Sequence, residues 1–268
     1  MPIQIATRGP VHGQCNICGE VGKLTEDHTP PKGCIKVGQV VIQHIVQRLA
    51  VEAPHKKGRS SQNGVKYRTI CHRCNNSLLG AKYDIAFNQF VNTAGEYLKS
   101  TLALPPVVSV KGKPQKIMRA VLGHISAQGV DRYLKGPETE SVRDYFLDDS
   151  QCLPASINVY YWVFPYNRQV LVRDCAYLDL LVGKPVAIWF MKFFPMAFMV
   201  TWQEPEDYKF DLPNMGAWRS IAIDDEVEMP IPLKKVVHPY WPDAPSETSV
   251  VTYGQEAIVA LSRTSAER

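Results

Sequence analysis

The spacing of apolar residues changes character near residue 154, from a helix-like period to nearly continuous apolar runs. From Asn75 onward, Leu79, Tyr83, Phe87, Phe90, Val91 and Tyr97 fall three or four apart, which predicts a helix to about Leu102, ahead of Pro105-Pro106. Ile117, Val121, Leu122 and Ile125 repeat that spacing and predict a second helix over 116–127. A third is predicted over 137–147, where Pro137 and Glu138 suit a helix N-terminus. Val37, Val40, Val41, Ile45, Val46 and Leu49 predict a further helix over 37–51. Two strands frame the first third, 24–28 ending at Pro30-Pro31, and 65–70. After Pro154, stretches rich in Val, Ile, Tyr, Phe and Trp predict strands over 157–164, 169–177, 184–192, 196–202 and 218–223. Their short connections make an antiparallel unit. The chain is therefore expected to be α+β, with a first domain over 1–104, a helical connector over 105–153, a β-rich domain over 154–241 and a weakly ordered tail over 242–268.

Composition changes this picture in two places. The most apolar run, 187–202, is interrupted by Lys192 and Pro195 and is shorter than the ~20 residues a membrane-spanning helix needs, so it reads as two buried strands. The net charge of +4 conceals a division: residues 1–120 hold 17 Lys+Arg against 6 Asp+Glu, and the remainder is acidic. A basic first part faces polyanions. Lys56, Lys57 and Arg59, on the Gly/Ser-containing loop 54–64, suit sequence-independent contact with phosphates. Plain solvated surface is an equal reading of that loop. Residues 1–14 lack the apolar segment of a secretory leader, and seven cysteines with no disulfide-like pattern fit a reducing cytoplasm.

The chemistry-bearing stretch runs from Cys15 to Asn76. Two Cys-x-x-Cys pairs, Cys15/Cys18 and Cys71/Cys74, supply the four soft ligands of a structural zinc site. The 52 residues between the pairs exceed what a compact zinc ribbon needs, so a whole substructure is inserted there and the ion closes its ends. Between them lies Thr25-Glu26-Asp27-His28-Thr29-Pro30-Pro31-Lys32, whose acidic-His step no zinc site requires. Tyr83 and Asp84 read as packing and helix-surface residues.

Cys-x-x-Cys, then Asp-His-Thr-Pro-Pro-Lys, then Cys-His-Arg-Cys-Asn-Asn resembles the HNH endonuclease family in its zinc-stapled ββα-metal form, over about residues 15–90. The resemblance implies a ββα-metal core and metal-dependent hydrolysis of DNA. His28 would be the general base, and Asp27 and Asn75 the oxygen ligands of a catalytic divalent ion such as Mg²⁺, with Asn76 or His72 as alternatives to Asn75. Lys32, His72 and Arg73 join Lys56, Lys57 and Arg59 as candidate contacts to DNA. Leu78 stands three places after Asn75, where the family often has a basic residue, and the middle Asn of the family name matches Asn63 only loosely. Proteins with this motif often belong to restriction, anti-phage or mobile-element systems. The β-rich region would then serve self-association or a protein partner. The same residues also fit two other classes, a non-catalytic zinc-stabilised nucleic-acid-binding module and a zinc-stabilised protein-interaction module.

Overall fold

The computed structural model describes residues 5–49, 58–133 and 137–262 of the chain. Its architecture is mixed α+β with mostly antiparallel sheets, built as a small zinc-pair module, a layer of helices and a large sheet. The module is a three-stranded sheet of β1 (His12–Gln14), β2 (Val21–His28) and β5 (Lys66–Cys71), in the order β1-β2-β5. Directly after β5 the chain enters a π-helical segment, Arg73–Tyr83, that runs without a break into α2, Asp84–Lys99.

The large sheet has eight strands. Its main path begins with β4 (Arg59–Ser61) and β3 (Val40–His44), continues through β13 (Ala257–Ser262) to the long strand β8 (Arg168–Asp179), and ends with β9 (Pro185–Phe193), β10 (Met196–Trp202) and β7 (Ile157–Val163). A further strand, β12 (Ser249–Tyr253), also pairs with β8. The apolar run read as two buried strands is the β9–β10 hairpin, with Met196 opposite Phe193. Outside this sheet, β6 (Val107–Gly112) pairs with β11 (Val227–Pro232).

Three sequence expectations are corrected. Residues 37–51 were expected to be helical, but strand β3 occupies Val40–His44, and among the described residues of that stretch only the short α1, Ile45–Leu49, is helical. Val40, Ile42 and His44 are buried and alternate with half-buried neighbours, a period-two pattern that a β-branched run satisfies as well as a helical one. Residues 218–223 form no strand: a 3₁₀ turn covers Met215–Trp218, and the strand comes later, as β11. Of the segment 242–268, expected to be weakly ordered, residues 263–268 lie outside the described residues, and the part before them supplies β12 and β13, with Ala257, Ile258, Val259 and Ala260 buried.

The boundaries expected at 104, 153 and 241 are crossed by the packing. Strand β3, from the first segment, is hydrogen-bonded to β13, from the last, with Ile258 opposite His44. One continuous apolar core joins Cys15, Leu24, Tyr67 and Cys74 of the module to Phe87 and Phe90 of α2. From there it reaches Ile117 and Val121 of α3 (Pro114–Ser126) and then Val159, Tyr161 and Phe198 of the sheet. The opposite sheet face is covered by Tyr208, Phe210 and Trp241. With both faces covered, these strands read as near-continuous apolar runs.

Helix α3 lies at the centre of the molecule, and all of its residues named in the apolar pattern are buried. Its close approach depends on Gly123, where a Cβ would meet the Phe146 ring at 2.5 Å and the Leu79 side chain at 2.6 Å. Phe146 belongs to α4, Pro137–Leu147. Gly123→Ala should therefore destabilise the fold by about 1–3 kcal/mol through overpacking, against the usual gain of Ala over Gly in a helix. Urea titration monitored by circular dichroism measures this.

Candidate metal centre and the adjoining Asp-His site

Four thiols converge where the first knuckle, the end of β5 and the start of the π-helical segment meet. Cys15 and Cys18 stand on a tight turn in which Gly19 N–H donates to Cys15 O at 3.0 Å and Cys15 N–H to Glu20 O at 2.9 Å. Gly19 has a φ of 77°, and a Cβ there would lie 2.4 Å from the Tyr133 ring, so conformation and packing both require glycine. The four Sγ atoms of Cys15, Cys18, Cys71 and Cys74 lie within 4.8 Å of one another, and those of Cys18 and Cys71 are 3.7 Å apart. A tetrahedral ion with bonds of about 2.3 Å places its sulfurs about 3.8 Å from each other.

The thiol chemistry agrees with that geometry. Hydrogen bonds from Cys18 and Cys74 lower Cys15 to about 2, and Cys18, sharing its proton with Cys15, is pushed up to about 12. Cys74 is raised further by the same two neighbours and by burial. Cys15 thus takes the negative charge that Cys18 and Cys74 withhold, and a divalent cation is what lets them ionise together. A structural metal such as zinc fits this donor set. It is the one metal-competent group of His, Cys, Asp and Glu side chains among the described residues.

Strand β2 carries the Asp-His step away from this cluster. Its pairing with β5 shifts register between Thr25 and Glu26, so that Leu24 faces Cys71 and Thr25 faces Ile70, but Asp27 then faces Tyr67 and His28 faces Lys66. Such a bulge re-aims side chains at the end of a strand. Asp27 is buried at 6% exposure, while His28 is half-buried on the other side of the strand.

Asp27 Oδ2 is 2.8 Å from His124 Nδ1 and also accepts from Thr29 Oγ1 at 3.2 Å. His124 Nε2 in turn lies 2.9 Å from Asp84 Oδ1. Burial opposes a charge on this imidazole, but the two carboxylates outweigh it and push His124 up to about 10. His28 moves the other way. Burial lowers it, Lys66 and Lys32 add to that, and Asp27 opposes them, so it is neutral at neutral pH.

Asn75, directly after Cys74, donates from Nδ2 to Thr25 Oγ1 at 2.9 Å and to the Glu26 carbonyl at 3.0 Å. Both amide hydrogens are engaged by β2, which leaves Oδ1 as the acceptor atom of Asn75. Asn75 is thereby tied to the residue just before Asp27. Asn75 therefore meets β2 just before the Asp27-His28 step, whose two side chains leave the strand on opposite sides. The π-helical turn there is of a kind found often at functional sites.

The other expected contact residues are scattered. Lys32 and His72 are exposed, and Arg73 is loosely paired with Glu20 at 3.9 Å. Arg59 sits on β4 at the edge of the large sheet and donates to the Ile5 carbonyl at 3.3 Å. Lys56 and Lys57 lie outside the described residues. Asp84, expected on the helix surface, instead has a side chain only 15% exposed and bonded to His124. His124 itself was missed, although a signal existed: it falls three residues after Val121 and seven after Ile117, on the apolar face of its helix.

In comparisons with known proteins the chain matches no family model, no curated protein and no solved structure. No helix among the described residues is long and apolar enough to cross a membrane.

Purified protein should carry one zinc per chain by atomic absorption. Cys74→Ser, which removes a fully buried ligand, should abolish zinc retention and cooperative thermal unfolding, since structural zinc contributes on the order of 10 kcal/mol where it organises a small unit. Retention of both would contradict the four-thiolate site.

Proposed function

We propose that the chain is a metal-dependent DNA endonuclease of HNH type, with a ββα-metal core formed by β2, β5 and the helix that follows. The observation that supports it most is Asn75: the residue after the last zinc-site cysteine is hydrogen-bonded to the backbone beside Asp27-His28. A residue so placed supports the resemblance, which implies Asn75 and Asp27 as oxygen ligands and His28 as the base.

The donor chemistry fits a hard divalent cation of the Mg²⁺ kind, which would be held by Asp27 and Asn75 through oxygen atoms. When bound, such an ion supplies charge relief to a phosphodiester and to its leaving oxygen. His28, neutral at neutral pH, removes the proton from the attacking water. Lys32, His72 and Arg73, with Lys56, Lys57 and Arg59, would hold the phosphate backbone without reading sequence. The large sheet, whose two faces are covered by the molecule's own residues, would choose substrate or partner through its loops and edges.

A second reading is favoured by one observation. Both hydrogen bonds of the Asp27 side chain are internal, to His124 and Thr29, as in a purely structural carboxylate. In that case the protein is a non-catalytic zinc-stabilised nucleic-acid-binding module.

Supercoiled plasmid with Mg²⁺ or Mn²⁺ separates the two. Wild type should nick it only with the ion present, and His28→Ala should lower the rate at least about 100-fold, the usual scale of a general base, with zinc content and fold unchanged. Because His28 is depressed, the acid limb of the single-turnover rate should have its midpoint below 6.5, the ordinary histidine value. No metal-dependent cleavage by wild type would end the endonuclease reading, and equal cleavage by wild type and His28→Ala would end the role of His28 as its base.

A further inference from the structure

We propose that His124 is the positioning residue of the Asp27 carboxylate, holding one oxygen so that the other is presented to the divalent ion, with Asp84 locking the imidazole from behind. The inference rests on the endonuclease reading of Asp27.

Three observations carry it. Both hydrogen bonds to the Asp27 side chain, from His124 Nδ1 at 2.8 Å and from Thr29 Oγ1 at 3.2 Å, fall on Oδ2. Oδ1 carries neither bond, and in this proposal it is the oxygen that meets the ion. The imidazole is held at both nitrogens, because Asp84 Oδ1 lies 2.9 Å from Nε2, so its ring cannot rotate without losing a buried ionic contact.

Helix α3 is itself fixed near His124 from several directions. Gly123 allows contact with Leu79 and Phe146, and Thr69 Oγ1 of β5 donates to the Ala127 carbonyl at 2.5 Å. Arg173 of β8 reaches the carbonyls of Ser126 and Gln128 at 2.7 and 2.9 Å. The carboxylate at the strand end is thus indexed to the centre of the core. A purely apolar residue at position 124 would fill the space but leave the buried Asp27 and the part-buried Asp84 carboxylates without their shared partner.

Outer partners that orient a ligating carboxylate typically govern metal affinity by 10–100-fold. The test is calorimetric titration of Mn²⁺ into the zinc-loaded full chain without nucleic acid, together with zinc content and thermal unfolding. Asp27→Asn serves as the control that removes the ligand. His124→Asn should bind Mn²⁺ 10–100-fold more weakly than wild type while retaining its zinc. Asp84→Asn, a milder change that keeps the imidazole, should bind severalfold more weakly and covers the case in which His124→Asn does not fold.

A merely structural role would lower the unfolding midpoint of these variants and leave the Mn²⁺ affinity of the folded protein unchanged, and that result overturns the inference alone. Wild type that binds no Mn²⁺ removes the endonuclease reading of Asp27 and this inference with it. Weakened binding in His124→Asn or Asp84→Asn, with Asp27→Asn binding none, supports it.

Discussion

The fold depends on one closure. Cys18 and Cys71 lie 53 residues apart in sequence, yet their sulfurs come within 3.7 Å. Between them the chain leaves the small module, contributes β3 and β4 to the large sheet, and returns. An excursion of that length loses much conformational freedom when its ends meet, and a metal held by four thiolates is a strong way to offset the loss. The same closure sets the place of the Asp-His step. Strand β2 leaves the first knuckle and β5 leads into the second, so pairing the two fixes both His28 and Asn75 relative to the sulfurs.

A second constraint is a set of buried polar side chains that lock the layers together. Arg119, fully buried, donates to the carbonyls of Tyr145 and Gln151 at 2.9 Å each and stacks on the Tyr145 ring. Arg173 gathers the carbonyls that end α3, and burial lowers it to about 9. Lys192 lies under the loop that holds Pro239 and Trp241 and pairs with Asp243. Guanidinium groups suit this task because their several fixed donors satisfy carbonyls that a turning chain leaves exposed. Buried charges of this sort cost desolvation, so they specify one arrangement of the layers more than they add stability. The Asp27–His124–Asp84 contact belongs to the same pattern, with a side chain beside a candidate site in place of a loop.

Much of the local architecture is legible in the order of residues alone. The spacing of Phe87, Phe90 and Val91, and of Ile117, Val121 and Ile125, placed α3 and the continuous π-helical segment and α2 within a few residues of where they lie, because a buried helical face needs that period. The run across Lys192 and Pro195 became the β9–β10 hairpin. Where the pattern misled, the competing structure had the same local appearance. Val40, Val41 and Ile42 satisfy a strand as easily as a helix, and the choice fell to pairing with β13, more than 200 residues away.

The sequence by itself determined the four sulfur ligands, the adjacency of Asp27 to His28, and Asn75 directly after the last cysteine. These are matters of spacing, and spacing is local. Only the tertiary structure decided that Asp27 turns inward, because a register shift between Thr25 and Glu26 re-aims the strand end. Only it brought His124 and Asp84 to that carboxylate, since the three residues belong to three separate elements that meet through core packing. It also made the last strand, β13, a central one, because a hydrogen-bonded neighbour across the sheet leaves no trace in the residues beside it in the chain.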